Sequence, residues 1–175
     1  MPEEDSEWKD VLLTPSSTLS SGAILVGSWM LLLTIINITI GAYSPDNKVL
    51  WIGFLTGGEA YSSSLDIVLD DAVFAILSLS IIGAGVVGMD SAREDGISGW
   101  ISDLPKDRMV TSVFSTEEGV ARTIASWMIL SGSLYYLIWS SSNTTWVDPG
   151  VYSVMIALIS LGVGIHWIKD SESSD

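Results

Sequence analysis

The chain alternates between long apolar runs that contain no charged residue and polar segments that carry all of its charges. Each apolar run is 18 to 22 residues long. Because a helix rises about 1.5 Å per residue and the hydrocarbon layer of a membrane is about 30 Å thick, roughly 20 residues cross it. The pattern therefore predicts an all-α integral membrane protein with four transmembrane helices. The four runs are residues 22 to 43, 72 to 89, 123 to 140 and 150 to 168.

The alternative is a soluble protein whose helices are buried in its own core. A soluble helical protein gives most of its helices a polar face, and none of the four runs has one. Composition agrees, since 48% of the residues are hydrophobic and only 16% are charged. The sequence therefore favours a multi-pass protein of the cell membrane.

The four runs pair naturally into two tandem helical hairpins. The linker between them has apolar residues at helical spacing (Ile97, Trp100, Ile101, Leu104), which predicts a helix lying flat on the membrane; a partly ordered loop is the alternative. The predicted segments are an acidic N-terminal segment (1 to 21), the first hairpin (22 to 89) with an outer loop (44 to 65), an acidic linker (90 to 119), the second hairpin (120 to 168) and an acidic tail (169 to 175).

The basic residues predict the orientation, because Lys and Arg concentrate on the cytoplasmic side. With both termini in the cytoplasm, Lys48 is the one base outside. The six bases inside are Lys9, Arg93, Lys106, Arg108, Arg122 and Lys169.

The two hairpins resemble each other in sequence. The segment Ser28-Trp29-Met30 recurs 98 positions later as Ser126-Trp127-Met128, with further identities around it and no gap. In the second helix of each hairpin, Gly83-Ala84-Gly85 corresponds to Gly162-Val163-Gly164. An internal duplication explains these matches.

Small residues indicate how the helices pack. In lipid, close backbone approach at glycine drives helix association. We expect the helix contacts at Gly83, Gly85, Gly88, Gly162 and Gly164. Trp29 and Trp127 lie deep in their runs, and we expect both to be bulky packing residues of the helix contacts.

The charge balance excludes some partners. There are 21 acidic and seven basic residues, which gives a net charge of −14. Nucleic acid and anionic lipid surfaces repel such a chain. The excess of acids favours a salt-adapted source, a halophilic or marine archaeon, over a mesophile with acidic tails.

No cysteine is present, which excludes disulfides and thiolate chemistry.

Three aspartates precede the second run. Asp66 and Asp70 are four positions apart and would share a helical face, with Asp71 pointing elsewhere. They are interpreted either as the solvated start of a helix or as a cation site of Asp66, Asp70 and Glu59 for Ca²⁺ or Mg²⁺. A catalytic acid pair is a third interpretation.

Other chemistry is sparse. His166 is the only histidine and lies near the inner end of the last run, so we expect an interfacial histidine rather than a haem or histidine metal centre. We expect no cofactor beyond surface Ca²⁺ or Mg²⁺. Asn143-Thr144-Thr145 is a glycosylation sequon in the second outer loop, which makes Asn143 a candidate acceptor.

Two functional hypotheses follow. The first is a non-catalytic accessory or structural subunit, not an enzyme, that packs in the lipid bilayer against other integral membrane proteins or copies of itself. The second is a small oligomeric ion channel or transporter whose acidic outer mouth attracts cations. The polar residues that could line its path are Thr34, Asn37, Ser78, Ser80, Ser131 and Ser133.

Overall fold

The structure is a computed structural model that describes residues 15 to 172 and is mostly helical. Residues 1 to 14 and 173 to 175, which hold most of the predicted acidic N-terminal segment and the end of the tail, lie outside the described residues. The chain divides into two compact units, Met1–Ser102 and Asp103–Asp175. Each unit is built on one pair of long helices.

The first unit consists of two long helices and a small folded segment between them. Its elements are α1 (Ser17–Thr39), β1 (Lys48–Val49), α2 (Trp51–Thr56), β2 (Tyr61–Ser62), α3 (Leu69–Ala92) and most of α4 (Gly96–Asp103). The strands pair antiparallel, with Lys48 opposite Ser62. We call residues 40 to 68, which join α1 to α3, the cap.

Helices α1 and α3 run antiparallel and approach each other closely at glycine. A Cβ atom on Gly27 would lie 2.7 Å from the Ile82 side chain, and one on Gly85 would lie 2.8 Å from that of Ile24. Real Cβ atoms do not come this near, so each glycine lets the facing helix backbone approach. The pairing thus depends on one glycine from each helix.

The second unit contains the other helical hairpin. A 3₁₀ turn (Leu104–Lys106) and α5 (Arg108–Thr111) precede the long helices α6 (Val120–Asn143) and α7 (Pro149–Glu172). Gly162 of α7 lies against the backbone of Ala125 in α6, which sets this contact. The Asp148 carboxylate accepts the N–H groups of Gly150 and Val151 and so caps the start of α7.

Three helices are long and apolar enough to cross a membrane: α1, α3 and α7. The fourth long helix, α6, has the length but not the composition, because its serines, tyrosines and tryptophans lower its hydropathy. In the three apolar helices only 17 to 28% of the most apolar window is buried. Their remaining surface is apolar and uncovered, which suits a membrane protein.

The helices extend beyond the charge-free runs. The Ser16 side chain accepts the Leu19 N–H, so α1 begins at Ser17 rather than at residue 22. Helix α3 begins at Leu69, three residues before its run, because Asp70 and Asp71 have partners in the cap. Charged residues are tolerated in a helix end when the fold supplies partners.

Helix α4 covers most of the linker residues whose spacing predicts a helix, and its position on the membrane stays a prediction. Just before it, the Arg93 guanidinium donates two hydrogen bonds to the Asp95 carboxylate, at 2.8 and 2.9 Å. These bonds hold the pKa of Asp95 below its usual range.

Candidate functional site

A buried ion pair joins the cap to the start of α3. Nζ of Lys48 donates to Oδ2 of Asp71 at 2.5 Å, and both side chains are only 1% exposed. The same ammonium group donates to the backbone carbonyl of Asp66. Strand pairing places Lys48 on the inner side of the cap, and the first turn of α3 places Asp71 opposite it.

Asn37, near the end of α1, completes this polar cluster. Its amide nitrogen donates to the Val49 carbonyl at 2.8 Å and to Oδ1 of Asp71 at 3.3 Å. Its amide oxygen accepts the N–H of Val49 at 2.8 Å. Asn37 is fully buried. One side chain therefore ties α1, the cap and α3 together, and we call Asn37, Lys48 and Asp71 the polar latch.

The charges of Lys48 and Asp71 in the latch depend on each other, because burial removes both from water. The Asp71 carboxylate also accepts the N–H of Val68 at 3.0 Å, so both of its oxygens are hydrogen-bonded. Taking away one member of such a pair leaves an uncompensated buried charge, which destabilises a protein by about 3 to 5 kcal/mol. The latch therefore holds the cap in one position.

Asp71 corrects the expectation of a solvated helix start. The sequence places it at the water-exposed mouth of α3, pointing away from a site, whereas the structure buries it against Lys48. Two signals could have revealed the pair: Lys48 is the single base of the outer loop, and Asn37 is a strongly polar residue inside an otherwise apolar run.

Asp70 caps a helix instead of facing outward. Its carboxylate accepts the backbone N–H groups of Trp51 and Ile52 at 2.6 and 2.7 Å, at the start of α2. The Trp51 ring stacks on Phe74 of α3 with ring centroids 4.7 Å apart. Asp70 thereby fixes α2 against the end of the hairpin.

The three predicted metal ligands do not form a cluster. Asp66 precedes α3, so it does not share a helical face with Asp70, and its carboxylate bonds to Ser64. Glu59 is exposed and lines a shallow depression together with Asp70. Within residues 15 to 172 no group of three His, Cys, Asp or Glu residues could hold a metal ion. The predicted cation site therefore gains no support from the geometry.

The second unit has its own buried polar contacts near the end of the hairpin where α7 finishes. Arg122, 4% exposed, donates to Asp170 of α7 at 2.7 Å, and Arg108 reaches the same carboxylate at 3.4 Å. One turn further along α6, the Ser126 hydroxyl lies 3.0 Å from Nε2 of His166. His166 is 1% exposed, so the expected interfacial histidine is instead a buried contact between helices.

The pair of Ser126 and His166 has the spacing of a nucleophile and its base, but its surroundings lack the other parts of such a site. Ser126 borders an apolar groove of about 280 Å³ between α5 and α6. It lies inside α6, where backbone N–H groups bond within the helix and cannot stabilise an oxyanion. The geometry therefore suits an interhelical hydrogen bond.

The far end of this hairpin is held by aromatic side chains. The Tyr136 hydroxyl donates to the Trp146 carbonyl in the connecting loop at 2.8 Å and lies 3.4 Å from the Tyr152 hydroxyl. Tyr136 is 1% exposed. It ties the loop to α6 much as Asn37 ties the cap to α1, a role that the apolar pattern does not reveal.

The predicted packing glycines divide into two groups. Gly85, Gly88 and Gly162 are buried against their partner helices. Gly83 and Gly164 have open space where a Cβ would be, so their assignment to helix contacts is wrong within each unit. Residues two apart on a helix point about 200° apart, so only one glycine of each Gly-x-Gly triplet faces the partner.

The tryptophans and the sequon have simpler environments. Trp29 is half-buried, whereas Trp127 is 52% exposed and does not pack in the hairpin contact expected of it, because the neighbouring Ala125 and Ser126 occupy that face. Asn143, the last residue of α6, is exposed, and its side-chain amide donates to the Trp139 carbonyl at 3.0 Å. Glycosylation of Asn143 stays a prediction.

The chain matches no protein-family model, no curated protein and no solved structure.

Proposed function

We propose that the protein is a non-catalytic accessory subunit of a membrane complex, with four transmembrane helices in two tandem hairpins and both termini in the cytoplasm. Three of the four spans rest on length and composition. The fourth, α6, is proposed because its 24 residues run antiparallel along α7, so a membrane that contains α7 also surrounds α6. The distribution of Lys and Arg supports the orientation.

One face of α6 carries the proposal of a protein partner. Trp127, Ser131, Tyr135 and Trp139 recur every four residues and are all exposed. This spacing places them in one stripe, which we call the α6 face. Within a membrane, serines and amphipathic aromatic rings are better covered by another helix than by hydrocarbon tails. The α6 face is therefore the proposed contact with another integral membrane protein.

The polar groups inside both units support a structural role. Those of the latch, the Ser126–His166 contact and the Tyr136 contact bind each other or the backbone. A catalytic centre instead holds polar groups ready for substrate.

The channel hypothesis is weakened by the same contacts. Asp70, the proposed cation attractor, is engaged by two backbone N–H groups. The hydroxyls of Thr34 and Ser78 bond to carbonyls one turn earlier in their own helices. Ion flux in reconstituted vesicles that is lost in Asp70→Asn would restore this hypothesis.

The test is purification in a mild detergent followed by mass spectrometry of the intact assembly. We expect one or more defined integral proteins to co-purify, and recovery of a lone monomer would overturn the proposal. Trp127→Ala on the α6 face should release the partner. Trp167→Ala removes the same side chain from α7, where it is 63% exposed, and should leave the assembly intact.

A further inference from the structure

The cap and the first residue of α3 expose large apolar side chains. Exposed fractions are 59% for Phe54, 79% for Leu55, 73% for Ile67 and 79% for Leu69. Ile52 and Leu69 border the same shallow depression, so α2 and the start of α3 are neighbours on this surface. We call Ile52, Phe54, Leu55, Ile67 and Leu69 the apolar patch. A solvated outer loop would not expose so much apolar area without an interaction partner.

The patch continues the surface that α3 presents along its length. Leu69, Val73 and Ile76 are spaced by four and three residues and lie on one helical face, with 79, 43 and 65% exposure. On that face of α3, no polar residue lies between the apolar patch at Leu69 and the exposed side chains of Val73 and Ile76. Whatever covers Val73 and Ile76 therefore extends to Leu69, and for a membrane helix that cover is lipid.

Backbone groups at both ends of α2 in the cap have hydrogen-bond partners within the protein, so they do not need water. The N–H groups at the start of α2 are taken by Asp70, and the end of α2 is closed by a bond from Gly58 N–H to the Gly53 carbonyl. Leu50 N–H bonds to the Ala60 carbonyl. A segment that enters lipid needs such internal satisfaction, since each unpaired backbone group there costs several kcal/mol.

We propose that the cap is an interfacial anchor whose apolar patch inserts into the membrane leaflet next to it. The exposed acids of the cap, Asp46, Glu59 and Asp66, limit this insertion to the headgroup and upper acyl region, about 5 to 10 Å deep. With Lys48 buried, the cap offers no free base, so uncharged or zwitterionic lipid is the surface it fits. The anchor goes beyond the subunit role and needs only that α1 and α3 lie in a bilayer.

The chain has no cysteine, which allows single spin labels without a background. Leu55→Cys and Ile67→Cys report on the patch, and Ser63→Cys is the matched control on an exposed polar position of the same cap. The purified full chain is reconstituted in phosphatidylcholine vesicles, and collisions with lipid-soluble oxygen and a water-soluble nickel chelate are measured. We expect the ratio of oxygen to nickel accessibility to be severalfold higher at 55 and 67 than at 63.

A fourth label at Ile76→Cys, 65% exposed in α3, separates the anchor from the membrane proposal itself. An oxygen-accessible label at 76 with labels at 55 and 67 that behave like 63 overturns the anchor alone. If neither oxygen nor the nickel chelate reaches the labels at 55 and 67, the anchor proposal is also overturned, and the apolar patch is covered by a second copy of the chain. A nickel-accessible label at 76 overturns the membrane assignment of the first hairpin as well.

Discussion

Lys48 and Asp71 are 23 residues apart in the chain and meet in an ion pair that is 1% exposed on both sides. The pair closes the cap onto α3, and Asn37 extends the same cluster to α1. The remaining ion pairs among the described residues have at least one side chain more than a quarter exposed. Within that part of the chain, this is therefore the pair whose loss should matter most.

Breaking the latch from one side should destabilise the first unit. Lys48→Met or Asp71→Asn alone should lower the free energy of unfolding by about 3 to 5 kcal/mol, because the remaining polar group stays buried without its partner. The double variant Lys48→Met/Asp71→Asn should recover part of the loss, because no uncompensated charge remains and the new amide oxygen can still accept the Val68 N–H. Denaturation in detergent measures these values. Lys106→Met, which breaks an exposed pair with Asp103, should change stability by about 1 kcal/mol or less.

The two glycines of each triplet should respond in opposite ways to alanine. Gly85→Ala and Gly162→Ala add a Cβ that meets backbone atoms of the facing helix at 2.9 and 2.6 Å, and should destabilise by about 1 to 3 kcal/mol. Gly83→Ala and Gly164→Ala have open space and should be neutral or stabilising by up to about 1 kcal/mol. Equal effects within a triplet would contradict the helix register described above.

The contact between Ser126 and His166 should contribute modestly to the second hairpin. Ser126→Ala should cost about 0.6 kcal/mol and at most about 1.7 kcal/mol, the range for a hydrogen bond between two helices in the membrane location proposed for α6 and α7. Ser153→Ala is the matched control, because Ser153 of α7 is exposed and bonds only within its own helix. Thermal unfolding of both variants in the same detergent measures the difference, and equal melting temperatures would argue against the interhelical bond.

Removing the Asp70 carboxylate should loosen α2 without unfolding the hairpin. Asp70→Ala leaves the N–H groups of Trp51 and Ile52 without acceptors, a loss of about 0.5 to 2 kcal/mol. Faster proteolysis or hydrogen exchange of residues 51 to 56 would show it. The exposed Asp66 carboxylate accepts a hydrogen bond from the Ser64 hydroxyl and none from α2, so Asp66→Ala should leave this segment protected.

The long helices could be predicted because the absence of charged residues over 18 to 22 positions is a direct mark in the sequence. Each charge-free run falls inside one long helix except at residues 40 to 43, where α1 ends in the cap. The latch could not be predicted in this way. In the sequence, Lys48 cannot be distinguished from an exposed loop lysine, because its burial depends on the strand pairing. Asp71 and Asp70 are adjacent in a helix and differ only in the direction of their side chains, by about 100°.

The helix contacts were only partly predictable for a related reason. Composition shows that Gly83 and Gly85 are small, but which one faces α1 depends on the rotation of the helix, set by packing along its whole length. Trp127 illustrates the same ambiguity, since its neighbour Ser126 took the inner position. The position of a residue along a long helix can be inferred from the sequence, whereas the direction of its side chain requires the partner helix.

The ion pair also bears on how the chain is threaded into a membrane. Lys48 is the single base that would have to be translocated in the proposed orientation, and a free cation opposes that transfer. Once Asp71 follows and neutralises it, the translocated segment retains only acidic charges. In the proposed orientation, the fold therefore neutralises the one base on the translocated side, and no exposed Lys or Arg of residues 15 to 172 remains there to weaken the charge asymmetry.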